Sequence, residues 1–89
     1  MNALVVKISI SDAEKTRKIL EERVVPQVSQ SSGFVAGYWT WSDDESNGLS
    51  MLVFESADAA RAAGERIRSL ASEGVTVDST EVRQVVASA

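Results

Sequence analysis

The stretch Gly33-Phe34-Val35-Ala36-Gly37-Tyr38-Trp39-Thr40-Trp41 decides how this chain folds. It holds four of the five aromatic residues, and aromatic and β-branched side chains suit a pleated, half-buried surface. Gly33 can take the left-handed backbone that ends a helix. The stretch therefore predicts a strand entered from a helix through glycine. Strict alternation puts Phe34, Ala36, Tyr38 and Thr40 on one face and Val35, Gly37, Trp39 and Trp41 on the other. So much apolar area in one element sets where a small core forms.

Toward the N-terminus, Ala13, Thr16, Leu20, Val24 and Val28 recur at helical spacing, with Ile19 widening the stripe. Ser11 or Asp12 supplies the cap, and Glu14 suits the first turn. Pro26 interrupts the pattern because it has no N–H to give, so a bend or restart is expected near Val25, with helix fading through Ser29–Ser32. Before the helix, Leu4, Val6, Ile8 and Ile10 alternate with Ala3, Val5, Lys7 and Ser9, the pattern of a strand with one strongly apolar face.

Toward the C-terminus, residues 42–48 read as a hairpin connection whose turn centres on Asn47-Gly48. The chain returns over Leu49–Glu55, with Leu49, Met51 and Val53 opposed to Ser50, Leu52 and Phe54. Ser56 caps a second helix whose buried stripe is Ala59/Ala60, Ala63, Ile67 and Leu70/Ala71, ended by Glu73-Gly74. Val75–Ala87 is one last strand or a broken pair, with Asp78-Ser79-Thr80 a bulge or bend. The order is βαββαβ, and right-handed crossovers lay both helices on one face of a four-stranded antiparallel sheet. The fold class is α+β, ferredoxin-like. The uncovered face carries Val5, Leu49, Met51 and Val53, too apolar to stay wet, and these are the candidate dimer-interface residues. Two protomers packed back to back form a dimeric α+β barrel.

Composition narrows the function. Residues 1–89 make one domain, and a chain of this size buries only about 60–65% of its unfolded surface, so a homodimer supplies extra core. A net charge of −4 with scattered basic residues argues against nucleic acid or an anionic membrane as partner. No apolar run approaches the roughly 18 residues of a membrane span, and the first residues lack the leading charge of a signal peptide. A cytoplasmic setting is expected. Cysteine and histidine are both absent, which removes thiolate chemistry, the commonest metal ligand and the easiest proton shuttle near neutral pH. No metal site, cofactor or catalytic residue is expected.

Gly33-Phe34-Val35-x-Gly37-x-Trp39, followed by a hairpin, by Val53-Phe54-Glu55-Ser56 and by Asp58-Ala59-Ala60, resembles the antibiotic-biosynthesis-monooxygenase-like family of dimeric α+β barrels. The likeness runs over essentially the whole chain. It implies a homodimer and a family that includes cofactor-independent quinone-forming monooxygenases, haem-degrading enzymes and small proteins without assigned activity. The haem-degrading branch uses an asparagine, a tryptophan and a histidine. The first two positions here are Val6 and Phe54, and histidine is missing, so haem breakdown by that route is not implied. The oxygenase branch works on aromatic polyketides with tyrosine, tryptophan, arginine or asparagine. Tyr38, Trp39, Trp41 and Arg83 offer that chemistry.

The candidate pocket is therefore Tyr38, Trp39, Trp41 and Phe54, a platform for a small apolar or aromatic ligand. The plainer reading of each is packing: the tryptophans against a helix or partner sheet, Phe54 in the core, Tyr38 satisfied by water. Asp43-x-Glu45-x-Asn47-Gly48 mimics the start of a calcium loop but has Phe54 where the closing glutamate belongs. If Lys7 points into the barrel, it pairs with Glu55, Glu81 or an anionic ligand, and an inter-strand or inter-subunit ion pair is the plainer expectation. The functional expectation is a non-catalytic ligand-binding or assembly domain. The alternative is a cofactor-independent monooxygenase of an aromatic, quinone-forming substrate.

Overall fold

The computed structural model describes residues 1–70 and 74–89. Strand β1 (Asn2–Ile10) leads into a helical arm made of α1 (Ala13–Ile19), a π-helical turn (Leu20–Val24) and α2 (Val25–Ser29). Strands β2 (Phe34–Trp41) and β3 (Asn47–Phe54) form a hairpin, α3 (Ala57–Leu70) crosses back, and β4 (Val75–Gln84) completes the sheet. The strand order is β2-β3-β1-β4, with every neighbouring pair antiparallel. This is the ferredoxin-like arrangement, with the apolar stripes of arm and α3 closing over one sheet face. Leu4, Val6, Leu52 and Phe54 from the sheet meet Val24, Val28, Ala60, Ala63 and Ile67 from the helices in a single core. Ala71 and Glu73, named for the end of the second helix, lie outside the described residues.

Local signals set the helix starts. The Asp12 side chain accepts the Lys15 N–H at 3.0 Å, and Ser56 Oγ accepts the Ala59 N–H at 3.1 Å. Gly33 has φ 79°, which the chain needs to leave the arm, and its N-terminal entry to β2 is closed by the Glu55 N–H donating to the Gly33 carbonyl at 2.8 Å. Thr16 is buried in the helix stripe because its hydroxyl donates to the carbonyls of Asp12 (2.7 Å) and Gly74 (3.1 Å).

Four details refine the pattern read from the sequence, and the restart at Val25 and the bulge at Asp78 fall where it placed them. Phe34 faces the helices, not the Tyr38 face. It pairs with Phe54 while Ala36 pairs with Val53, so Val35 is an extra, bulged residue that turns Phe34 inward. The Phe34 and Phe54 rings then meet edge-on, with centroids 5.7 Å apart. Second, Asn47 and Gly48 belong to β3 and not to the turn. A Cβ at Gly48 would lie 3.0 Å from Ile8 Cγ1, Trp41 Cδ1 and the Thr40 carbonyl oxygen, a crowded position that glycine suits. Glu45 takes the left-handed conformation instead, at φ 59°. Third, the bend expected at Val25 is a π turn. The Val25 N–H reaches back to the Leu20 carbonyl, and the arm restarts across Pro26 with helical geometry. Fourth, β4 is one strand with its register shifted opposite Lys7/Ile8, the bulge falling at Asp78, and it ends at Gln84 and not Ala87.

The hairpin turn is held by Asp44. Its carboxylate accepts hydrogen bonds from Ser46 Oγ (2.7 Å), Ser42 Oγ (2.8 Å) and the Ser46 N–H (3.0 Å). The Ser46 and then the Ser42 hydroxyl hold the Asp44 carboxyl below its ordinary 3.8. A depressed carboxyl stabilises the folded turn above its ordinary value, and that contribution is lost as pH falls through the lower folded value. An NMR titration of Asp44 is expected to give a midpoint below pH 3.8. A midpoint at or above it would mean the three bonds do not persist in solution.

The outer sheet face holds Tyr38 (73% exposed), Leu49 (49%) and Met51 (50%), with Val5 and Val53 partly covered between them. Polar groups gather on the β4 side, where Arg83 pairs with Glu81 at 3.2 Å and Ser9 Oγ donates to Asp78 at 2.7 Å. Lys7 lies between Leu49 and Ser79 on the neighbouring strands, and its expected pairing with Glu55 or Glu81 does not form in the protomer. Among the described residues no helix is long and apolar enough to cross a membrane.

Candidate functional site

The inward positions of β3 grow from small to large along the strand, and one of them is polar. On β3 they run Gly48, Ser50, Leu52, Phe54. Ser50 lies beside Val6 on β1 and Trp39 on β2, so its hydroxyl rises between two apolar neighbours. Over it stand Ile19, Leu20 and Val24 from the arm and Ile67 and Leu70 from α3. Ala60 and Ala63 of α3 are buried in the core, and Ile67 and Leu70 follow them along the helix at the edge of this space. A cavity of about 50 Å³ remains there. It is large enough for a water or two and too small for a ring system.

Two hydroxyls meet this apolar chamber, and they differ. Thr16 already has its two carbonyl partners. Ser50 is 6% exposed, and its Oγ makes no side-chain hydrogen bond among the described residues while remaining open to the cavity. A hydroxyl in that state offers a donor and an acceptor to whatever enters.

Leu20 and Trp39 also wall a second space, an open groove of about 510 Å³ between the arm and the β2–β3 hairpin. Trp41 forms its floor nearer the solvent. The Arg17 guanidinium lies 4.7 Å from the Trp41 ring centroid, and its Nη2 donates to Glu45 Oε2 at 2.7 Å. Arg17 thus bridges arm and hairpin across the groove. Glu21 and Asp43 complete the rim. Groove and chamber are neighbouring spaces that share Leu20 and Trp39 as walls, the groove with a charged rim and the chamber apolar with one available hydroxyl.

The proposed pocket residues do not all meet in these two spaces. Trp39 lines both and Trp41 the groove. Tyr38 alternates with them and stands on the outer face, where Arg83 also lies, so neither reaches groove or chamber. Phe54 is fully buried in the core against Phe34 and borders neither space. Reading the sequence missed Ser50, Arg17 and Glu45. For Ser50 a signal was present: a polar residue at an inward position between Gly48 and Leu52. Arg17 and Glu45 are 28 residues apart and carry no local signal.

No family model matches the chain, and no curated protein matches it in sequence. Solved structures do match it in shape. SnoaB, a cofactor-independent oxygenase from Streptomyces nogalater, aligns at TM-score 0.76 and 14% identity over 98% of this chain and 94% of that one. A monooxygenase from the gene ActVA-Orf6 of Streptomyces coelicolor, solved with the ligand Nanaomycin D, aligns at 0.65 and 14% over 99% and 89%. A dimeric ferredoxin-like protein from an uncultured marine organism aligns at 0.61 and 8% over 99% and 97%. At these identities the likeness is one of fold, and the chain has the ferredoxin-like fold of these monooxygenases along nearly its whole length.

Proposed function

We propose that this protein is a homodimeric, non-catalytic small-molecule-binding domain whose cleft takes one edge of a flat, largely apolar ligand. The observation that carries this reading is the wall of Leu20 and Trp39, which has the 510 Å³ groove on one side and the chamber that Ser50 opens onto on the other. A ring stacked in the groove would lie against that wall. Stacking on tryptophan is a usual means of orienting such a ligand. Among the described residues, the walls of the chamber contain no titratable side chain, so none of them brings an acid or base to its inner end. The apolar outer face supports the dimer, and a dimeric neighbour of the same fold is consistent with it. A cytoplasmic setting is part of the same reading.

Titration with 1,8-dihydroxyanthraquinone, followed by tryptophan fluorescence, tests it. Saturable quenching at one molecule per chain is expected, and Trp39→Leu should weaken binding by about three- to tenfold, the scale of one aromatic contact. Linear quenching without saturation would overturn the proposal.

One comparison favours a second reading. The SnoaB neighbour is a cofactor-independent oxygenase, and the same cleft could hold a polycyclic phenol that oxidises to a quinone. Oxygen uptake above the buffer rate, dependent on the protein and lost in Ser50→Val, would establish that activity.

A further inference from the structure

The cleft's mouth has a charge pattern that selects among flat ligands. We infer that it favours a cationic planar aromatic, whose charged nitrogen takes the place of the Arg17 guanidinium over Trp41. This rests on the cleft reading above and adds the chemical class of the ligand.

Three carboxylates, Glu21, Asp43 and Glu45, line the groove with one cation, Arg17. Arg17 is neutralised by Glu45 at 2.7 Å, while Glu21 and Asp43 have no ion-pair partner among the described residues. An anionic ring entering here would meet excess negative charge on a protein already at −4. The Trp41 face, by contrast, already holds a planar cation at 4.7 Å, as its π electrons favour. That cation is replaceable. The Arg17 and Glu45 side chains are 56% and 47% exposed, so each can return to water at little cost when the pair opens. A ligand cation would inherit both the ring face and Glu45, and would also approach Glu21 and Asp43. Its hydrocarbon edge would lie along Leu20 and Trp39, the two residues that the groove shares with the chamber holding the buried Ser50 hydroxyl, unpartnered among the described residues.

Three ring-matched probes separate the possibilities on the full chain at neutral pH: 9-aminoacridine (cationic), acridine (neutral) and acridine-9-carboxylate (anionic). At low salt, 9-aminoacridine is expected to bind about tenfold or more tightly than the carboxylate, with the gap shrinking as salt screens the rim. Arg17→Ala should tighten 9-aminoacridine about threefold, because the competing cation is gone. The Glu21→Gln/Asp43→Asn variant should weaken it about fivefold and leave acridine unchanged. Trp41→Ala should erase most of the preference, which general attraction to an acidic protein would not. Equal or tighter binding of the carboxylate overturns the inference while leaving the cleft standing. So does weaker 9-aminoacridine binding in Arg17→Ala, which would make Arg17 a clasp that builds the groove. Failure of all three probes to bind overturns the cleft reading itself, and this inference with it.

Discussion

Met51→Asp is expected to halve the particle mass, from twice the 9.6 kDa chain to a single chain, in sedimentation equilibrium at micromolar concentration. Met51 sits at the centre of the outer sheet face, aligned with Val5 on one neighbouring strand and Tyr38 on the other. It is 50% exposed in the protomer, so the substitution leaves the protomer core untouched. In a back-to-back dimer the same position is covered twice, once from each copy. An unpaired carboxylate there costs several kcal/mol, and each 1.4 kcal/mol is a factor of ten, so dissociation should rise by at least about a hundredfold. Val53→Asp, at the apolar end away from Lys7, should act in the same direction. Wild-type protein sedimenting as a single chain would contradict the dimer. An unchanged mass in both variants would place the interface elsewhere.

Phe54→Ala is expected to have the largest effect on stability. Phe54 is fully buried and closes against Phe34 edge-on at 5.7 Å. Truncations of this kind cost about 3–5 kcal/mol, against the roughly 5–15 kcal/mol that holds a typical domain together. For a domain of this size the melting temperature should drop by on the order of 20 °C, measured at one fixed protein concentration because association shifts the midpoint. Below that midpoint, dye affinity should stay within about twofold of wild type, since Phe54 borders neither groove nor chamber. A stable variant that had lost its affinity would reverse the assignment and return Phe54 to the binding site.

Those two residues show where reading the chain succeeds. Met51 and Phe54 lie three apart on β3 and were assigned to opposite faces by alternation alone, which is a property of any extended backbone. The same holds for Leu4, Val6, Ile8 and Ile10, and for the caps at Asp12 and Ser56, whose partners lie within three residues. Element order and the handedness of crossovers then leave few topologies, so βαββαβ and the bare outer face follow from the linear pattern. The family resemblance read from Gly33–Trp39 and Val53–Ala60 has its counterpart in the fold shared with monooxygenase neighbours.

The cleft was not legible in this way, because it depends on contacts between distant residues. One extra residue at Val35 turns Phe34 into the core, and only the pairing with β3 shows it. The turn centres on Glu45 and not Asn47-Gly48, and Gly48 lies within β3 where Ile8 and Trp41 close in from neighbouring strands. Whether Tyr38 or Trp39 faces the helices is set by that same register, and it sent Tyr38 to the outer face. What the linear sequence determined on its own was the set of elements, the fold and the apolar character of the outer face, since these rest on short-range periodicity. Tertiary structure alone decided that Arg17 would meet Trp41 and Glu45, and that Ser50 would open onto an apolar chamber, because proximity across 28 residues is a consequence of packing and leaves no mark on local pattern.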